Sequence, residues 1–217
     1  MTVEATTRQR RRAPEERRRQ IIEATIACLA QSGPEKWSLR QVSRDIGIAP
    51  SLITYMFATW NDLLVAAYSD LGERFGAQFS EISRREGLTA RARLDLCIDA
   101  YFAEEWLSAD VAGAYIAFWT LGRSEPRLRD VMDQFAEMKQ RDLIPLLREY
   151  AAECRVDCDV EALADTFYFL LSGLWYEVAV NPDAVMRPGP RGQARRFLDF
   201  AFVERGASHS PHRNPLD

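Results

Sequence analysis

The sequence predicts an all-α protein with a small N-terminal three-helix domain and a larger C-terminal helical domain. Apolar residues recur at helical spacing through most of its 217 residues. No stretch alternates apolar and polar residues as a strand does, and no hairpin turn signal is present. Capping residues, Gly and Pro separate the apolar segments at the places where helices would begin and end.

The first predicted helix covers residues 14–31. Pro14 suits the first turn of a helix, and Gly33 followed by Pro34 ends it. The arginine-rich segment before it, residues 1–12, is predicted to be a disordered basic arm. Its arginines would either lie along nucleic-acid phosphates or remain solvated.

Two short helices follow, joined by a tight turn. Ser38 with Gln41 is a capping signal for the first, and Gly47 allows the left-handed backbone that turns the chain. Pro50 then suits the first turn of a second helix at residues 50–56. This arrangement predicts a helix-turn-helix, whose second helix enters the major groove of DNA.

The later helices are predicted from the same signals. Thr59 with Asp62 caps a long helix that would belong to both domains, and Pro145 would kink another. These helices are predicted at residues 59–85, 89–108, 110–122, 125–153, 159–180 and 191–205. The predicted parts of the chain are the basic arm at 1–12, a helix-turn-helix DNA-binding domain at 13–60, a helical effector-binding and dimerisation domain at 61–205 and a flexible tail at 206–217.

Charge is distributed unevenly along the chain. Residues 1–60 contain ten Lys and Arg against six Asp and Glu, whereas the remainder contains eighteen against twenty-six. A basic head on an acidic body fits a protein whose N-terminal end alone meets nucleic acid. Arginine-rich tails also occur on proteins that do not bind nucleic acid. The charge distribution is therefore consistent with the helix-turn-helix motif and does not by itself establish DNA binding.

The motif itself resembles the DNA-binding domain of the TetR/AcrR family of bacterial transcription regulators. The resemblance is carried by S-L-R-Q-V-S-x-x-I-G-I from Ser38, L-I-T-Y-M-F from Leu52 and N-D-L-L-x-A-A from Asn61. Two positions depart from the family pattern. Ser43 stands where alanine is usual and needs a hydrogen bond, for which a carbonyl one turn earlier is the candidate. Trp60 stands where the family has a lysine that touches a phosphate, so that contact is in doubt.

The C-terminal half resembles the choline-responsive Bet repressor branch of the same family. The matching segments are A-Y-I-A-F-W from Ala114, E-P-R-L from Glu125 and L-L-S-G-L-W-Y-E-V-A-V from Leu170. This resemblance implies a homodimer that binds a palindromic double-stranded DNA operator. It also implies a small-molecule effector, with choline or a similar organic cation as the first candidate.

Three sets of site residues follow. Side chains at the start of the first short helix would hold phosphates, and those of the second would meet base edges. The candidate DNA-binding residues are Lys36, Ser38, Arg40, Pro50, Ser51, Thr54 and Tyr55.

The second set would bind the effector. Aromatic faces attract organic cations, although each ring could instead be part of the core. The candidate effector-binding residues are Tyr101, Trp106, Tyr115, Phe118, Trp119, Tyr168 and Trp175.

The third set would form the subunit interface. The two last helices carry more apolar residues than a surface helix needs, which predicts a four-helix subunit interface. Its candidate residues are Phe167, Leu171, Leu174, Phe197 and Ala201.

Enzymatic function is disfavoured. No Ser/His/Asp, Cys/His or metal-ligand constellation exists, and the two histidines, His209 and His212, lie in the tail.

The four cysteines are predicted to be reduced thiols, and neither a metal nor another cofactor is expected. Without an apolar run long enough to span a membrane or lead secretion, we expect a cytosolic protein. Two alternatives stay open: an activator or ligand-independent regulator on the same fold, and a helical interaction protein that does not bind DNA.

Overall fold

The structure is a computed structural model that describes residues 3–181, 183 and 187–203, with the side chains of residues 14–137, 140–181, 183 and 187–203. The described residues form ten α-helices and no strand, so the predicted all-α class is confirmed. In chain order the helices are α1 (Val3–Ser32), α2 (Leu39–Asp45), α3 (Pro50–Met56), α4 (Trp60–Ser83), α5 (Ala90–Tyr101), α6 (Glu104–Leu107), α7 (Ala109–Gly122), α8 (Pro126–Cys154), α9 (Val160–Val180) and α10 (Pro190–Ala201).

The N-terminal helix is longer than predicted. It begins at Val3, so residues 3–12 continue α1 instead of forming a disordered arm, and Pro14 lies inside the helix. This segment contains four Arg with one each of Glu, Ala and Gln, residues of high helix propensity that offset the hydrogen bond lost at the proline. Residues 1–2 and the predicted tail at 206–217 lie outside the described residues.

Local signals set the helix-turn-helix as predicted. The Ser38 hydroxyl accepts from the Gln41 backbone N–H at 3.3 Å and begins α2. Gly47 has a φ of +66°, which a glycine adopts without steric cost. Ser43 satisfies its buried hydroxyl forward, by donating to the Ile48 carbonyl, and not one turn back as expected. That bond ties α2 to the turn in front of α3.

Helix α4 belongs to both domains. It opens with a complete capping box between Thr59 and Asp62, and it packs against α1 at one end and along α8. At Gly72 an added Cβ would lie 2.8 Å from the ring of Phe135 on α8. A glycine in the middle of α4 therefore permits close packing and is not only a weak point in the helix.

The helix predicted at residues 89–108 is two helices. Helix α5 ends at Tyr101, Ala103 takes an extended backbone, and the single turn of α6 follows. The break turns Trp106 into the interior, where only 2% of its surface is exposed. Burial of a large aromatic ring by tertiary packing overrides the helical pattern here. None of the described helices combines the length and apolarity needed to cross a membrane.

Candidate functional site

The reading helix α3 has one buried side and one open side. Ile53 is buried and anchors the helix to the domain core. Pro50, Ser51, Thr54 and Tyr55 are exposed on the other side. Tyr55 is 86% exposed, and so large an aromatic side chain in solvent contributes nothing to the core.

The flanking candidates lie on the same part of the domain and are equally accessible. Lys36, Ser38 and Arg40 are exposed at the start of α2. Phe57, the residue after α3, is buried, and the Arg18 guanidinium lies 4.7 Å from its ring centroid. The domain thus exposes cationic and hydroxyl groups at the start of α2, which packs on α3, and such groups are the ones that contact phosphates.

A second site is a cavity in the C-terminal domain. It encloses ≈ 30 Å³, about the volume of one water molecule, and it lies between five helices and is partly open to solvent. Its lining is aromatic and consists of Phe75, Tyr101, Trp106, Tyr115, Trp119 and Trp175. The structure therefore brings together five of the seven predicted effector residues.

Two predicted effector residues do not line this cavity, and one lining residue was missed. Phe118 is fully buried and meets Tyr68 edge to face at 5.5 Å, because it lies on the side of α7 that faces α4. Tyr168 is only partly buried and contacts Phe169 instead. Phe75 lies on the apolar side of α4, where its spacing gave no signal beyond core packing.

The rings of the cavity are fixed by one another and by hydrogen bonds. Trp175 meets Tyr115 at 5.6 Å and Trp119 at 5.5 Å, both edge to face. The Trp106 indole N–H donates to Gln78 at 2.8 Å. Burial raises the pKa of Tyr101 and of Tyr115, so both hydroxyls stay neutral at physiological pH. A rigid lining of aromatic rings favours an organic cation over an anion.

The predicted interface residues on α9 and α10 point into their own chain. Phe167, Leu171 and Leu174 are buried, and Phe167 stacks on the half-buried Phe197 with centroids 5.6 Å apart. Ala201 is also half-buried against this core. Both helices are apolar on more than one side, so the sequence did not show which side faces outward.

The outward side of these helices is apolar as well, and we call it the α9–α10 face. Phe169 is 68% and Phe200 79% exposed. The other large apolar side chains of the face are Tyr176, Val180 and Val203. Gly173 lies between Phe169 and Tyr176 along α9, and no atom lies within 4 Å of a Cβ added there. Large exposed apolar side chains on two packed helices are the kind of surface at which proteins interact.

An exposed helix α3 in a helix-turn-helix, together with a helical second domain that contains an aromatic cavity, defines a two-domain, all-α class of helix-turn-helix protein. Comparison with known proteins narrows this class. The model for the C-terminal domain of BetI-type transcriptional repressors matches residues 90–202, and the chain belongs to this BetI-type family of TetR transcriptional regulators.

Individual relatives agree with that assignment. The HTH-type transcriptional regulator BetI of Escherichia coli O45:K1 (strain S88 / ExPEC) is 25% identical over 186 residues, which are 84% of this chain and 92% of the relative. A crystal structure from Pseudomonas aeruginosa PAO1, of a protein proposed to be a transcriptional regulator, has a TM-score of 0.79 and 28% identity over 87% of this chain and 91% of its own. A structure from Saccharomonospora viridis in complex with choline has a TM-score of 0.73 and 21% identity, covering 85% of this chain and 96% of its own. At that identity the last match shows the fold alone.

Proposed function

We propose that this transcriptional regulator is a homodimeric repressor that leaves a palindromic operator when a small organic cation of the choline class fills the aromatic cavity. The observation that carries the proposal is the cavity, whose six lining rings lie in the domain that is joined to the reading helix by α4. The Saccharomonospora viridis structure, which holds choline in the same fold, supports this class of effector.

DNA binding would use residues 13–60 as the reading domain. The exposed side of α3 enters the major groove, with Ser51, Thr54 and Tyr55 at base edges. Lys36 and Arg40 contact phosphates beside it. Two such domains in a dimer would fit half-sites about one helical turn, ~34 Å, apart.

Dimerisation would use the α9–α10 face in place of the buried residues first assigned to it. Glycine inside a helix costs roughly 0.5–1 kcal/mol relative to alanine. Among the described residues, none comes within 4 Å of a Cβ added at position 173, so packing inside that part of the chain does not require a glycine there. A glycine would be required if α9 of the second subunit packs closely against this position, between Phe169 and Tyr176.

Coupling between cavity and DNA would run through α7 as well as α4. Helix α7 carries Tyr115 and Trp119 on the cavity side and packs along α1 on another. At Gly113 an added Cβ would lie 3.2 Å from the Cα and carbonyl oxygen of Ala30 in α1. Because α1 also packs on α2, a shift of the cavity rings moves the reading domain.

Replacing Gly113 with valine tests this coupling. The side chain must push α1 away from α7, at a cost of about 1–3 kcal/mol, so we expect operator affinity without effector to fall about tenfold or more. Fluorescence anisotropy on labelled upstream DNA measures it. Thr120→Val is the matched control, because Thr120 is exposed on the same helix. Equal operator affinity for both variants would contradict a route through α7.

The proposed function is tested by adding choline chloride to the complex of the protein with its own upstream DNA. We expect millimolar choline to release the DNA, while sodium chloride at equal ionic strength releases far less. The salt control is needed because phosphate contacts weaken with any added salt. Reporter transcription from the same promoter then separates a repressor from an activator. DNA binding that choline leaves unchanged would favour the ligand-independent alternative.

A further inference from the structure

A cationic side chain lies against one of the rings that line the cavity. The Arg74 guanidinium lies 5.7 Å from the ring centroid of Trp106, which lines the cavity. Its Nη2 donates to Glu105 Oε1 at 2.7 Å, and its Nη1 lies 3.8 Å from Asp70 Oδ2. The guanidinium is half-exposed and thus stands between solvent and this wall.

The wall itself is the single turn of α6, which is tethered to α4 by side chains. Glu105 is held by Arg74, and the Trp106 indole N–H is held by Gln78. Both tethers run from α4, the helix that begins beside the reading domain. Movement of α6 away from α4 would therefore break both tethers, and α4 is the helix that the two domains share.

We propose that the Arg74 guanidinium competes with the effector from within the protein. In the effector-free form it occupies Trp106 and Glu105, and a cationic effector binds by displacing it from both. The proposal rests on the proposed function, since it concerns the same effector. An aromatic face and a carboxylate are the two groups that a quaternary ammonium binds. In the effector-free protein, Arg74 engages both groups.

This arrangement makes the effector's charge decisive. A cation in the cavity is repelled by Arg74 until the guanidinium moves, and it then gains Glu105 as a partner. A neutral molecule of the same shape gains nothing from that displacement. Arg74 would thus set the effector concentration at which the regulator responds, independently of the shape of the cavity.

The test measures binding of choline chloride and of its neutral analogue 3,3-dimethylbutan-1-ol by calorimetry. Arg74→Gln is expected to tighten choline binding about tenfold and to leave the neutral analogue within about twofold. Arg74→Lys, which keeps the charge, should stay near the wild type. Arg84→Gln is the matched control, because Arg84, the residue that ends α4, makes a 2.7 Å ion pair with Asp142 of α8.

Glu105→Gln provides an independent arm. The effector loses its carboxylate, so choline binding should weaken about tenfold, while Glu104→Gln, an exposed neighbour, should have little effect. Unchanged choline affinity in Arg74→Gln, or equal tightening of both probes, would overturn the proposal even where choline still releases the DNA. If neither the wild type nor Arg74→Gln binds choline, the inference and the choline assignment both fail. DNA binding by the effector-free protein is a separate measurement and is unaffected by that result.

Discussion

Replacing Tyr55 with alanine is expected to weaken binding to the specific operator by about 30-fold or more. A good side-chain contact to a base is worth roughly 1–3 kcal/mol, and a dimer loses one such contact in each half-site. Tyr55 is 86% exposed on α3 and has no role in the core. Its loss should therefore act on DNA recognition and not on folding.

Anisotropy titrations with the operator and with a scrambled duplex measure this effect at one fixed salt concentration. The free energy of unfolding should change by no more than about 0.5 kcal/mol, as for other surface substitutions. Tyr55→Phe separates the ring from the hydroxyl. By contrast, Phe57→Ala removes a buried ring and should destabilise the domain by about 3–5 kcal/mol. Operator affinity unchanged in Tyr55→Ala would remove this residue from the reading surface.

Replacing Gly173 with leucine is expected to convert the dimer into a folded monomer. The position is exposed on α9 between Phe169 and Tyr176, and no atom of the described residues lies within 4 Å of an added Cβ. Leucine favours the helix more than glycine does, by roughly 0.8 kcal/mol, so each subunit should not be destabilised. The larger side chain instead separates the two α9 helices that would meet there.

Sedimentation velocity reads out the oligomeric state, and thermal unfolding shows that the subunit is intact. Gly173→Ala should weaken the dimer less than leucine does. Leu88→Glu is a control, because Leu88 is a 39% exposed apolar residue in the connection between α4 and α5 and belongs to neither α9 nor α10. Operator binding by the leucine variant should also fall, since each half-site is then bound alone. A persistent dimer would assign the subunit contact to another surface.

The helix-turn-helix could be predicted closely because its signals are local. The Ser38 cap, the left-handed Gly47, the Pro50 start and the capping box at Thr59 each involve residues a few positions apart. Such contacts form within one turn of chain and need no distant partner. The exposed residues of α3 were found for the same reason.

The C-terminal sites were predicted only in part because they depend on contacts between distant segments. Helical spacing places Phe118 and Trp119 side by side on α7, yet one packs on α4 and the other lines the cavity. The break at Ala103 depends on the burial of Trp106 and not on a local stop signal.

The sequence by itself determined the all-α class, the helix order and the reading helix, since periodicity and caps are written in neighbouring residues. Tertiary structure alone decided which sides of α9 and α10 are buried. Both helices are apolar on more than one side, and the stacking of Phe167 on Phe197 turns the predicted interface inward. Packing likewise decided which rings enclose empty space, because the same aromatic residue fills a core or lines a cavity according to its neighbours on other helices.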